Sequence, residues 1–168
     1  THHVGIWRRQ QVEQFLSFES RNRAEMIHCY DLVFNCAVDK TSLQTKTHSR
    51  STILVNIMLP RLLADACLRA GAKFIHFSSD MAGVEKWEGA YALEKSCADL
   101  ALHHDHIVIF KGSFFGPSEG IGGFFEHALL GFNGEDIVGF TNIVSQAITV
   151  HELVTLIDET VVDSNYEG

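Results

Sequence analysis

Tyr91-Ala92-Leu93-Glu94-Lys95, read together with the run Phe77-Ser78-Ser79-Asp80 just before it, decides how the rest of this chain is understood. A helix over 89–103 places Tyr91 and Lys95 on one face, one turn apart. Alone, that spacing describes many exposed helix pairs. Position makes it informative here. Gly71-Ala72-Lys73-Phe74-Ile75-His76-Phe77 reads as a buried strand, and its C-terminal end delivers the hydroxyls of Ser78 and Ser79. Open α/β sheets bind ligands at the carboxyl ends of their strands. A free phenol has a pKa near ~10, too high for easy proton exchange at neutral pH. A neighbouring ammonium favours the phenolate and is expected to lower that value. With a serine to hold a substrate oxygen, Tyr91, Lys95 and Ser79 form an acid/base set suited to an alcohol or carbonyl oxygen while hydride moves at carbon.

Working outward, apolar runs alternate with helical patterns. Asp31-Leu32-Val33-Phe34-Asn35-Cys36-Ala37 reads as a buried strand leading into a loop, and Ile107-Val108-Ile109-Phe110-Lys111 as another strand. Between them, Ser51 to Ala70 carries Ile53, Leu54, Ile57, Met58, Leu62, Leu63, Ala66 and Cys67 at helical spacing. Pro60 is expected to kink that helix or leave a carbonyl unpaired, and Gly71 to stop it. Arg9–Phe18 suits an amphipathic helix, Val4–Trp7 a short strand, and residues 38–49 a loop or helix start. Gly112–Pro117 is expected to turn out of the strand before it. Ile121–Leu130 reads as helical, Glu135–Phe140 as a short strand, and Val150–Val162 as a helix with Leu153, Leu156, Ile157 and Thr160 inward. Continuously apolar strands separated by helices predict 32–36, 73–78 and 107–111 as parallel neighbours in one sheet covered on both faces.

The 168 residues are enough for a real core, with 46% hydrophobic and 20% charged residues. A formal charge of −8 and the lack of a basic run argue against a nucleic-acid surface. The apolar stretches read as too short for a membrane span, and the opening Thr1-His2-His3 shows no leader pattern. Cys29, Cys36, Cys67 and Cys97 show no close pairing or metal spacing, so no metal site is expected. Cys36 and Cys67 fall in apolar patterns, which implies buried free thiols and a cytoplasmic location.

The ordered motifs resemble the extended short-chain dehydrogenase/reductase family, and within it the dTDP-4-dehydrorhamnose reductase branch. Asp31–Ala37 is similar to that branch's D-x-V-I-N-x-A strand, and Val55-Asn56 to its V-N pair. Phe74–Asp80 is similar to F-I-H-x-S-T-D, Tyr91–Lys95 to Tyr-x-x-x-Lys, Lys111–Pro117 to R-x-S-x-x-Y-G-P, and Ile148–Ile157 to a later helix. The likeness covers roughly residues 28–168. It implies a Rossmann-like doubly wound parallel sheet, an NAD(P)-binding core over 1–117 and part of a substrate-binding portion over 118–168. It also implies NADPH or NADH as cofactor and a nucleotide sugar as substrate, with a homodimer among the assemblies it allows. Ser79, Tyr91 and Lys95 are the implied catalytic residues, and Asn35, Cys36, Ala37, Asn56 and Lys95 the implied cofactor contacts.

Departures from the pattern keep three readings open. The family opens with a strand and a G-x-x-G-x-x-G turn that seats a pyrophosphate on a helix N-terminus. Residues 1–30 supply no such turn, so the sheet is expected to lack the first glycine-rich βαβ unit. The loop between Ser79 and Tyr91 is short, Lys111 stands for an Arg, and Phe115 for a Tyr. The readings are a reductase of a nucleotide-linked 4-keto sugar, an epimerase or dehydratase on the same scaffold, and a non-catalytic dehydrogenase-like binding subunit.

Overall fold

Three apolar stretches pair as parallel strands in the order β1-β2-β3: β1 Leu32–Asn35, β2 Lys73–Phe77 and β3 Ile107–Phe110. The computed structural model describes residues 5–83, 89–102, 106–115 and 147–162. Registers run from Leu32 opposite Lys73 to Asn35 opposite His76, and from Phe74 opposite Ile107 to Phe77 opposite Phe110. Strand order and direction are those expected from the sequence. The central strand is the most deeply enclosed, with Phe74, Ile75 and His76 fully buried.

Side-chain alternation gives the sheet two different faces. Val33, Phe74, Ile107 and Ile109 share a core with Phe15, Ile27, Leu59, Leu63, Ala66 and Cys67. That core joins the sheet to α1 (Arg9–Ser17), α2 (Ser20–Ile27) and α5 (Leu59–Ala70). On the opposite face Phe34, Phe77 and Phe110 stack across the three strands, with ring centroids 6.5 and 6.0 Å apart. Gly5 to Arg8 has no regular structure, so the short strand read at Val4–Trp7 does not form among the described residues. Trp7 instead lies 5.4 Å from the Phe15 ring, a hydrophobic anchor for the entering chain.

The helix connecting β1 to β2 runs from Arg50 to Ala70. It comprises α4 (Arg50–Ile53), a π-turn at Leu54–Met58 and α5. Ser49 caps its start by accepting from the Thr52 N–H, and Gly71 ends it with a left-handed φ of 75°. Pro60 has no N–H to give to the carbonyl four residues back. The helix accommodates it by slipping one residue, and the Leu59 N–H bonds the Leu54 carbonyl in an i to i−5 step. By length and composition this helix could cross a bilayer, contrary to the expectation that no stretch reaches that size. Its Leu59, Leu63, Ala66 and Cys67 are spent on the sheet core, as in helices that cover an α/β sheet.

The chain divides into two compact units, Thr1–Lys111 and Gly112–Gly168. In the second, β4 (Ser113–Phe115) pairs in parallel with β5 (Ala147–Thr149), so part of the stretch read as a turn is a strand. Helix α7 (Val150–Ile157) follows, opened by a capping box between Thr149 and Glu152. Leu153 and Ile157 are buried, but Leu156 is 38% exposed, one position off the buried stripe. The helix tightness changes at Asp158–Val162, a π-turn that brings Val161 into the buried set. The helix read at Ile121–Leu130, the strand at Glu135–Phe140 and the Gly116–Gly123 loop lie outside the described residues.

Candidate active site

Helix α6 (Ala90–Ala101) places Tyr91, Glu94, Lys95 and Ala98 on one stripe by its i, i+3, i+4, i+7 spacing. Lys95 is only 2% exposed and reaches the carboxyl end of β2, donating from Nζ to the Phe77 carbonyl at 2.9 Å. Burial lowers its pKa, and the charge of Asp99 one turn on works in the opposite direction. Asp99 is itself held by Lys111, whose Nζ lies 3.0 Å from Oδ2.

Ser79 follows the end of β2. Its hydroxyl donates to Asp80 at 3.2 Å and accepts from the Met81 N–H at 3.2 Å. Tyr91 is half-buried and interacts with Ser79. The phenol is not lowered as the Tyr-Lys spacing suggests. Burial raises its pKa above 10, the Asp80 and Glu94 charges push the same way, and the Ser79 hydrogen bond only partly opposes them. The Lys95 ammonium is instead drawn to the Phe77 carbonyl, and this explains the difference from the expectation. A phenol held in its neutral form is a proton donor rather than a base.

Asn35 ends β1, buried beside His76 of β2. Its Oδ1 accepts from the Ala37 N–H at 3.2 Å, so its amide NH2 faces His76 Nδ1 at 3.1 Å. That orientation makes Nδ1 an acceptor and leaves the imidazole proton on Nε2. Burial and the Lys95 charge push the His76 pKa down to about 3. Ala37 is half-buried, whereas Cys36 is exposed, so the buried thiol expected there is found only at Cys67. An edge position at the end of β1, with Asn35 turned inward, directs the next side chain outward. Cys67 is buried in apolar surroundings that push its pKa up to about 12.

Asn56 does not reach this edge directly. It is buried on the π-turn, donating to the Asp39 carbonyl at 2.8 Å and to Glu94 Oε2 at 2.8 Å. Its Oδ1 accepts from the Asp39 N–H at 2.9 Å. It therefore acts on the loop beyond Ala37 by holding its backbone. Glu94, passed over in the sequence, is the acceptor at the centre of this network. It shares the Tyr91–Lys95 stripe, and that spacing is the signal that could have singled it out. His76 was legible as a strand residue, but its pairing with Asn35 needed the register between β1 and β2.

Among the described residues, the parallel sheet is of the α/β kind, with Ser79 just past the end of its central strand and Lys95 bonded to that strand's last carbonyl. The chain belongs to the NAD dependent epimerase/dehydratase family, whose sequence profile matches residues 5–100. No curated protein matches it in sequence. Among solved structures it is similar to the dTDP-4-dehydrorhamnose reductase of Bacillus anthracis str. Ames in complex with NADP. That likeness has a TM-score of 0.69 at 18% identity, over 93% of this chain and 59% of the other. MoeE5 in complex with UDP-glucuronic acid and NAD gives 0.64 at 16% identity, over 91% and 58%. Pal from Bacillus thuringiensis gives 0.63 at 15%, over 85% and 54%. The chain thus spans less than two thirds of the length of each of these structures. At such identities the likeness establishes a shared Rossmann-like fold.

Proposed function

We propose that this chain is the catalytic part of an NAD(P)-dependent reductase acting on a nucleotide-linked 4-keto sugar. What supports the reading is the Tyr91–Ser79 hydrogen bond just past β2 together with the Lys95 ammonium on the Phe77 carbonyl at the end of that strand. In this reading the Thr1–Lys111 unit is the cofactor-binding core, and Gly112–Gly168 contributes to the substrate portion. The residues fit the nicotinamide end of such a cofactor. Ser78 Oγ is buried at the strand end with no hydrogen-bond partner among the described residues, as a ligand-facing hydroxyl would be. Lys95 brings an ammonium to the same edge, and Asn35, Cys36 and Ala37 line the end of the neighbouring strand.

Bound NAD(P)H supplies the hydride that reduces the keto carbon. Ser79 orients the keto oxygen through its hydroxyl. Tyr91 gives its phenolic proton to that oxygen as negative charge develops there. Lys95, its ammonium held at the Phe77 carbonyl, would hold the ribose of the cofactor. At neutral pH the phenol carries the proton that this direction requires.

The family supports a second reading, an epimerase or dehydratase of nucleotide sugars using the same three residues. Calorimetric titration with NADPH, followed by turnover of dTDP-4-dehydrorhamnose, tests the proposal on the intact protein. Cofactor binding, reduction of the sugar and loss of turnover in Tyr91→Phe are expected. Epimerised or dehydrated sugar as the product would favour the second reading. An intact protein that binds no cofactor would point to a binding subunit, and a fully active Tyr91→Phe would remove the mechanism. The 168-residue chain alone, with no G-x-x-G-x-x-G turn in its sequence, is expected to bind NADPH weakly.

A further inference from the structure

A carboxylate with no exposure to solvent sits between the two residues on which the proposed chemistry depends. Glu94 is 0% exposed and follows Tyr91 by three positions and precedes Lys95. Each of its oxygens takes two donors. Oε2 accepts from Ser42 Oγ at 2.7 Å and from Asn56 Nδ2 at 2.8 Å. Oε1 accepts from Thr52 Oγ1 at 2.7 Å and from His48 Nδ1 at 2.9 Å. The donors come from α3 (Thr41–Thr45), from the link between α3 and α4, and from the Arg50–Ala70 helix. Burying a charge is costly unless it is fully paired, so a chain that spends four donors on one carboxylate is closely constrained there.

The network continues beyond Glu94. Asn56 uses its remaining capacity on the backbone of Asp39, accepting from its N–H and donating to its carbonyl. Asp39 in turn accepts from the Thr41 N–H at 2.9 Å and the Ser51 hydroxyl at 2.7 Å. A continuous hydrogen-bonded path therefore runs from the helix of Tyr91 and Lys95, through Glu94 and Asn56, to the loop that follows Asn35, Cys36 and Ala37.

We propose that Glu94 is a positioning residue that locks the Tyr91–Lys95 helix at a set distance from the loop after β1, and so sets the width of the cofactor cleft. The inference rests on the cofactor reading given above, but its mechanical part stands on the hydrogen bonds alone. Geometry rather than charge does the positioning. A glutamine at this place can keep Ser42 and Asn56 on its carbonyl oxygen and turn its NH2 toward Thr52 and His48. Thr52 can then give its proton to the Ser49 carbonyl, 3.0 Å away, and His48 Nδ1 can accept in its other tautomer. Alanine takes the carboxylate from all four donors, leaving Thr52 only the Ser49 carbonyl and Asn56 only the Asp39 carbonyl.

The experiment compares wild type, Glu94→Gln, Glu94→Ala, Asn56→Ala and the double variant Glu94→Ala/Asn56→Ala in the intact protein. It reads NADPH affinity by calorimetry and amide hydrogen exchange at Asp39, with exchange in β2 as the control for folding. Glu94→Ala and Asn56→Ala should each weaken NADPH at least tenfold and release the Asp39 amide while β2 stays protected. The double variant should be no weaker than the worse single one, because both changes cut one path. Glu94→Gln should restore affinity to within about threefold of wild type, a rescue that loss of burial alone would not predict. Unchanged affinity and protection in Glu94→Ala would overturn the proposal, as would a Glu94→Gln variant as impaired as the alanine. Should Glu94→Ala fail to fold, Asn56→Ala decides by the same two readings, since it leaves Glu94 three of its donors. A wild type that binds no NADPH would sink the oxidoreductase reading instead. The Asp39 exchange would then decide the positioning link: release with rescue by glutamine upholds it, and retained protection rejects it.

Discussion

Acidification should weaken this fold through a single buried imidazole. His76 is fully buried, and its pKa falls from an ordinary 6.5 to about 3. Burial is the larger cause and the Lys95 charge the smaller. The hydrogen bond from Asn35 adds a geometric reason, because a proton on Nδ1 would face the Asn35 NH2 donors. A group whose folded pKa is depressed binds its proton first in the unfolded chain. Between the two values the unfolded state therefore carries more protons, and stability rises with pH. The contribution is whole above 6.5 and is lost as pH falls from there toward 3. From pH 7 to pH 5 the loss integrates to about 2 kcal/mol. With a urea slope of roughly 1–3 kcal/mol per molar, the unfolding midpoint should drop by about 1 M. His76→Gln can keep an acceptor for Asn35 and does not titrate, so the difference between it and wild type isolates this one group. Asp39 and Glu94, whose carboxyls are held below the usual range, are present in both proteins and cancel. Urea melts of both at the two pH values decide the matter. If wild type and variant lose the same stability on acidification, the account of His76 as a neutral buried base is wrong.

Two further outcomes follow from the same packing. Asp80→Asn removes one of the charges that raise Tyr91, so the phenol should ionise at lower pH. Ultraviolet titration of tyrosinate against a Tyr91→Phe blank measures this, and an unmoved curve would refute the electrostatic assignment. Phe74→Ala, at a fully buried site of the central strand, should cost about 3–5 kcal/mol in chemical unfolding. A loss below about 1 kcal/mol would show that the core closes over the gap.

Local sequence was sufficient for the parallel sheet, the Tyr91–Lys95 face and the stop at Gly71. Each depends on apolar period or on a backbone preference, which act over a few residues. Continuous runs such as Phe74-Ile75 can only be strands buried on both sides in a chain of alternating helices. Pro60 foretold trouble in its helix, but the choice between a kink and a π-turn depended on what the helix packs against. The state of Tyr91 could not be read from its spacing to Lys95. A pKa follows from burial and from every charge nearby, and Lys95 is bonded to the Phe77 carbonyl while burial and the charges of Asp80 and Glu94 raise the phenol. Cys36 and Leu156 likewise look apolar in the sequence and lie exposed, because alternation at a strand end and one step around a helix decide burial. The Glu94 network was least legible of all. Its donors Ser42, His48, Thr52 and Asn56 stand 38 to 52 residues away along the chain. Single polar residues at such separations carry no periodic signal, and only the folding of α6 against the Arg50–Ala70 helix brings their hydrogen bonds to one carboxylate.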